Sequence, residues 1–225
     1  MRNKNVWIIT AVSLGACILH AAMLHSPINS YLYTSFLKVA FCILAPLIYF
    51  KIKKENFIKN IFAKGDKKYL KLSLALGFGT LAVMLIGFLI LRPFFDDAMI
   101  VDSFATFGIT QSNFIVVFIY VILINALMEE IFFRGFVFMT LHRLNVKRYA
   151  HIYSALLFSV YHVTILSNAV SPAIFVFFVT GLAASGLLFN FLTIKCKNII
   201  GSQIVHVCAN IGINLSLAGV LLGII

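Results

Sequence analysis

Apolar runs of about twenty residues recur along most of this 225-residue chain, and this repetition limits the fold more than any single motif does. A helix needs about 20 apolar residues to cross the hydrocarbon core of a bilayer. About seven segments meet or approach that length: Val6–Leu24, Tyr31–Phe50, Leu72–Leu91, Asn113–Leu141, Ala150–Leu166, Pro172–Leu192 and Ile199–Leu222. The fourth is long and the fifth short, as if a helix projects beyond the membrane or kinks there. A soluble domain carries roughly 25% charged residues. Here 11% are charged and 62% hydrophobic, too few charges to coat a water-facing surface. The expected fold is all-α, a polytopic transmembrane bundle of about seven spans.

The charges that do occur orient the bundle. Arg2 and Lys4 precede the first run, and Lys51–Lys71 holds eight Lys against Glu55 and Asp66. Arg143, Lys147 and Arg148 follow the fourth run, and Lys195 and Lys197 precede the seventh. The alternate connections are poor in Lys and Arg: His25–Ser30 and Ser167–Ser171 carry no Lys, Arg, Asp or Glu, and Arg92–Ser112 sets one Arg against Asp96, Asp97 and Asp102. All four basic segments thus fall on one side, the cytoplasmic one by the positive-inside rule. The N-terminus is expected inside and the C-terminus outside. The connections alone account for the net charge of +11, so the basic excess reports orientation, and no nucleic-acid partner is expected. Lys51–Lys71 is the one long polar connection and is suited to an anionic lipid surface. The first run continues through Leu24, so it reads as a retained span. Leu14-Gly15-Ala16-Cys17 lacks the polar tail that follows a lipidated Cys. Cys17, Cys42, Cys196 and Cys208 have no paired spacing and read as reduced packing residues.

Four charges remain inside spans: Lys38, Glu129, Glu130 and Arg134. A charge at the bilayer centre costs at least ~2.5–3.5 kcal/mol, so such residues need partners or water and mark functional sites by default. Glu130 and Arg134 are four residues apart, with the acid N-terminal, and pair on one helix face. Glu129 lies about 100° round the helix from Glu130 and is not neutralised by that pair. It is the better candidate for a reactive carboxylate. Lys38, a turn and a half into the second span, either snorkels outward or lines the site.

Histidines supply the remaining chemistry. His162 lies in the fifth run, and His206 and Asn210 share a face of the seventh. Glu129, His162, His206 and Asn210 converge only if the fourth, fifth and seventh spans surround one cavity. Such a site suits a base that activates water and donors that stabilise an oxyanion. Two His and a carboxylate also make a Zn site, so Glu129, His162 and His206 are candidate metal ligands. Depth is the difficulty, because simple counting puts His206 nearer the cytoplasmic face than His162. Asn214 either extends the polar stripe or bonds a neighbouring helix. His20 has no polar companions in its run and reads as packing. His142 and His151 are expected in solvent near the interface. Gly181, Ala183, Ala184, Ser185, Gly186, Gly201, Ser202 and Gly212 would let neighbouring helices approach closely.

Three motifs in this order resemble the CAAX-processing and bacteriocin-processing intramembrane peptidases, the CPBP or Abi family. They are Glu129-Glu130…Arg134, Phe158…His162 and His206…Asn210. The resemblance covers roughly Asn113–Leu215. It implies hydrolysis of a peptide bond in a membrane-associated peptide or protein, in CAAX-type, bacteriocin or pheromone processing, or self-immunity. It implies that Glu129 activates water with His162, that Glu130 and Arg134 order the site, and that His206 and Asn210 stabilise the oxyanion. Phe158 would pack beside the site and contact substrate. The motifs leave open a metal-free glutamate mechanism or a bound divalent metal such as Zn. No His-Glu-x-x-His or Gly-x-Ser-x-Gly sequence is present. The chain then divides into N-terminal transmembrane helices with the basic loop (1–112), a peptidase core (113–215) and the end of the last span (216–225). Its partners would be membrane lipid and a peptide substrate. Abundant Lys, Asn and Ile point to a bacterial cytoplasmic membrane. The alternatives are a non-catalytic scaffold or bacteriocin-immunity protein retaining the fold, and an ion-coupled transporter. A transporter would be expected to show matching halves, which the sequence lacks.

Overall fold

A computed structural model describes residues 2–24, 31–166 and 172–224. The uncharged connections His25–Ser30 and Ser167–Ser171 lie outside the described residues. The described chain is helical, with no strand. In chain order the helices are α1 (Asn3–Leu24), α2 (Tyr33–Lys53), α3 (Phe57–Ile61), α4 (Lys67–Phe94), α5 (Asp97–Thr106), α6 (Phe114–Arg143), α7 (Lys147–Leu166), α8 (Pro172–Cys196) and α9 (Ile200–Leu221). Six of these, α1, α2, α4, α6, α8 and α9, are long and apolar enough to cross a membrane. The seventh expected span, α7, is a full helix but a more polar one. Even so, Ile152, Leu156 and Val160 are exposed on it at four-residue intervals, the stripe of a helix facing lipid. The protein is an integral membrane protein.

Four acids outside the spans serve as helix caps or ion-pair partners. Asp66 caps α4 by accepting from Lys68 N at 2.9 Å, and Asp96 caps α5 by accepting from Ala98 N at 2.9 Å. Such caps satisfy amide groups that a helix start leaves unpaired. Asp97 pairs with Arg92 at 2.7 Å, and Glu55 pairs with Arg143 at 3.8 Å.

The core is built around α6. Phe132, Phe133, Phe136, Val137, Phe138 and Leu141 are buried on several sides of it, while α4 and α8 leave most of their apolar surface outward. Two stretches of α6, Val121–Asn125 and Glu130–Phe138, are wound as π-helix, as is Ala40–Leu44 in α2. Such widened turns are uncommon and occur often at functional sites.

Small residues set the close crossings. A Cβ on Gly186 of α8 would sit 2.8 Å from Ala155 Cα of α7, and one on Gly212 would sit 2.6 Å from Met84 Cβ of α4. Gly201 meets Ser73 of α4 in the same way. Gly181 is an exception: it faces open space and serves no crossing.

One packed corner resolves the depth difficulty. A Cβ on Gly135 would lie 2.9 Å from Ile61 Cγ2, so α3 rests directly on α6. The amide of Ile199 donates to Ile61 O at 3.1 Å, and Asn198 Nδ2 donates to Ala63 O at 2.9 Å. The α8–α9 turn therefore lies level with Gly135, well above the end of α6 at Arg143. From that level, Glu129 is six residues along α6 and His206 seven along α9, each roughly 10 Å at ~1.5 Å per residue. His162 is fifteen residues from the start of α7 at Lys147, about as far as Glu129 is from Arg143. The overlong fourth run is thus a helix that overshoots its neighbours, and the three side chains meet at one height.

Candidate active site

Glu130 and Arg134 are fully buried, and Glu129 is 2% exposed. Arg134 Nη1 lies 3.2 Å from Glu130 Oε1, the pairing expected from their spacing. The guanidinium carbon also sits 4.2 Å from the centre of the Phe158 ring and 4.7 Å from that of Phe189. An aromatic face attracts a desolvated cation, so these two rings, Phe133 at 5.9 Å and one carboxylate hold this charge within the bundle. Glu130 Oε1 also meets His206 Nδ1 at 3.0 Å. Arg134, Glu130 and His206 thus form a chain from α6 to α9.

Glu129 points elsewhere. Its Oε1 accepts from Asn125 Nδ2 at 2.9 Å and lies 3.9 Å from Lys38 Nζ. Its Oε2 faces His162 Nε2 and His206 Nε2, each at 3.6 Å, and has no hydrogen bond within the protein. His162 Nδ1 lies 2.8 Å from Phe158 O. A carbonyl only accepts, so Nδ1 carries a proton and Nε2 is the ring atom turned toward Glu129. The same reasoning at Glu130 places a proton on His206 Nδ1.

The structure therefore brings Glu129, Glu130, Arg134, His162 and His206 together. Asn210 stands one turn further along α9, where its Nδ2 donates to Val121 O at 3.4 Å. Asn214 donates to Asn210 O in its own helix at 2.8 Å. Phe158 is 2% exposed, with Arg134, His162 and His206 against its ring. Lys38 turns inward and lines the site. His20 is buried and stacks on Tyr161 at 4.4 Å, with both rings lining a small cavity beside Lys38. His142 and His151 are half-buried around Phe138, rather than in open solvent.

Sequence reasoning missed Asn125, Tyr161 and Phe189. Asn125 was within reach, since it precedes Glu129 by four residues and so shares its face. Tyr161 and Phe189 carry no such signal among 23 Phe and 8 Tyr.

Among the described residues, no group of three or more His, Cys, Asp or Glu side chains is arranged to hold a metal ion. Glu129, His162 and His206 meet pairwise through the carboxylate and are not a preformed ligand set. The four cysteines are free, with Cys17, Cys42 and Cys196 buried.

These observations define a class: a helical membrane protein with a buried carboxylate that faces two imidazoles. Residues 111–212 match the model of the family described as Rce1-like, type II CAAX prenyl endopeptidase. The segment that carries the three motifs is therefore Rce1-like, in agreement with the family they resemble. Neither the curated proteins nor the solved structures include a significant match to the chain.

Proposed function

We propose that this protein is an intramembrane endopeptidase of the CAAX type, in which Glu129 activates water for attack on a peptide bond of a membrane-associated substrate. The reading rests on one observation above all. Glu129 Oε2 is buried, has no hydrogen bond within the protein, and faces the Nε2 atoms of His162 and His206 at 3.6 Å each. The Rce1-like match over 111–212 supports it.

In this reading a water bridges Glu129 Oε2 and His162 Nε2. Glu129 takes its proton as the oxygen attacks the carbonyl carbon, a general-base step of the kind that contributes roughly 10²–10⁴-fold. The negative charge moves to the former carbonyl oxygen. His206 Nε2, when both of its ring nitrogens are protonated, is the nearer donor toward it, and Asn210, one turn further along α9, is the second once its amide turns from Val121 O. Collapse breaks the C–N bond, and Glu129 returns the proton to the departing amine. Glu130 and Arg134 hold His206 in place. Residues 113–215 form the peptidase core in this account, and a bacterial cytoplasmic membrane is its expected setting.

The test uses purified protein in detergent, with a farnesylated peptide ending in a CAAX box and an unprenylated membrane peptide as probes. Wild type is expected to cleave at least one, and Glu129→Ala and His162→Ala to cleave neither above background. Equal cleavage by wild type and both variants would contradict the reading. So would intact probes with wild type, an outcome that favours a non-catalytic role.

A further inference from the structure

Glu129 is a buried anion, and the arginine nearest in sequence does not serve it. Arg134 is committed to Glu130 and to the rings of Phe158 and Phe189. The cation beside Glu129 comes instead from the other half of the chain. Lys38 of α2 places Nζ 3.9 Å from Glu129 Oε1 and donates to Asn125 Oδ1 at 3.1 Å, while Asn125 Nδ2 donates to the same Oε1 at 2.9 Å. Lys38 Nζ also stands 5.6 Å from the centre of the Tyr161 ring. Helices α2, α6 and α7 therefore all touch this ammonium, whose side chain is 14% exposed. A Lys near a helix end in a membrane normally extends toward water. This one turns inward, and it lies outside the 111–212 segment that matches the family.

We propose that Lys38 is a positioning residue for the reaction. Its ammonium is the counter-ion of Glu129, and through Asn125 it fixes the carboxylate so that Oε1 is engaged and Oε2 is left for water. The N-terminal half of the chain thereby completes a site whose other residues lie in the Rce1-like segment. The charged and titratable groups around Glu129 are then Lys38 and Cys42 from α2, Tyr120, Glu130 and Arg134 from α6, Tyr161 and His162 from α7 and His206 from α9, with His20 of α1 one ring further out behind Tyr161.

This inference rests on Glu129 being the base, and the experiment separates the two. Cleavage of the farnesylated CAAX peptide is followed for wild type, Lys38→Gln, Lys38→Arg and Glu129→Gln at equal folded concentration. Lys38→Gln can still donate to Asn125 but carries no charge. It is expected to lower kcat about tenfold to a hundredfold while KM changes less than about threefold, the pattern of a group acting on the transition state. Lys38→Arg restores most of that loss. A merely structural lysine would lower the folded fraction and leave kcat per folded molecule intact. Wild-type kcat in Lys38→Gln, or equal losses in Lys38→Gln and Lys38→Arg, would overturn the proposal. If Lys38→Gln does not fold, Lys38→Ala with added ethylammonium carries the test. Rate restored by the amine and not by equimolar ethanol supports the role, and no response to the amine overturns it. Activity in Glu129→Gln would instead remove the underlying reading. An inactive Glu129→Gln beside a normal Lys38→Gln removes only the role of Lys38.

Discussion

Arg134 shows how a full charge is kept inside an apolar bundle. Its carboxylate partner and three aromatic rings replace water, and breaking such an arrangement leaves an unpaired buried ion. Arg134→Met is therefore expected to destabilise the protein by roughly 3–5 kcal/mol, whereas Glu130→Gln combined with Arg134→Met should cost less than Arg134→Met alone. Unfolding in detergent with increasing denaturant measures both. At this scale the sequence carried much of the site. Helix geometry alone separated Glu129 from the Glu130–Arg134 pair, and the structure has that separation. The direction of Lys38 was not legible, because snorkelling and inward pairing use the same position on the helix. What decides it is Asn125 across the interface between α2 and α6, and no local pattern in α2 reports that contact.

Helix crossings hold these side chains at one height. Gly186 brings α8 against α7, the helix that carries His162, with no room for a Cβ beside the Ala155 backbone. Gly186→Ala is expected to cost about 1–3 kcal/mol, the usual penalty of overpacking, and to lower activity as α7 shifts. Gly181→Ala, in open space on the same helix, should leave stability unchanged or slightly raised, since Ala is the better helix former. Thermal unfolding of the two variants side by side checks this contrast. The corner at Gly135 offers a second check. Gly135→Ala should impair cleavage, and Ile61→Ala should partly restore it by clearing the atom 2.9 Å away. The sequence suggested small residues in α8 and α9 as crossing points but could not say which of them face a neighbour. Nor could it supply the offset of the α8–α9 turn, which depends on hydrogen bonds from Asn198 and Ile199 to a segment more than 130 residues earlier.

On the scale of the whole molecule, the apolar runs specified the helical membrane class, and one helix differed in kind. α7 is expected from the pattern as a short span, and it forms a full helix with a lipid-facing stripe and an inward face that mixes Ser154, Ser159 and His162 with Ala155, Leu157 and Phe158. The distribution of Lys and Arg predicts that single cysteines placed in Lys51–Lys71 react only with reagents admitted to the cytoplasm. Cysteines placed in Arg92–Ser112 should react from outside. Labelling in intact and permeabilised cells reads that orientation, and the reverse pattern would invert the bundle. The most direct test of the central claim is kcat for cleavage of the farnesylated CAAX peptide by Glu129→Gln, a variant that keeps the shape of the side chain. Loss of about a thousandfold, within the range for removing a general base, is expected with the unfolding midpoint little changed. Cleavage at the wild-type rate by a folded Glu129→Gln would contradict the account.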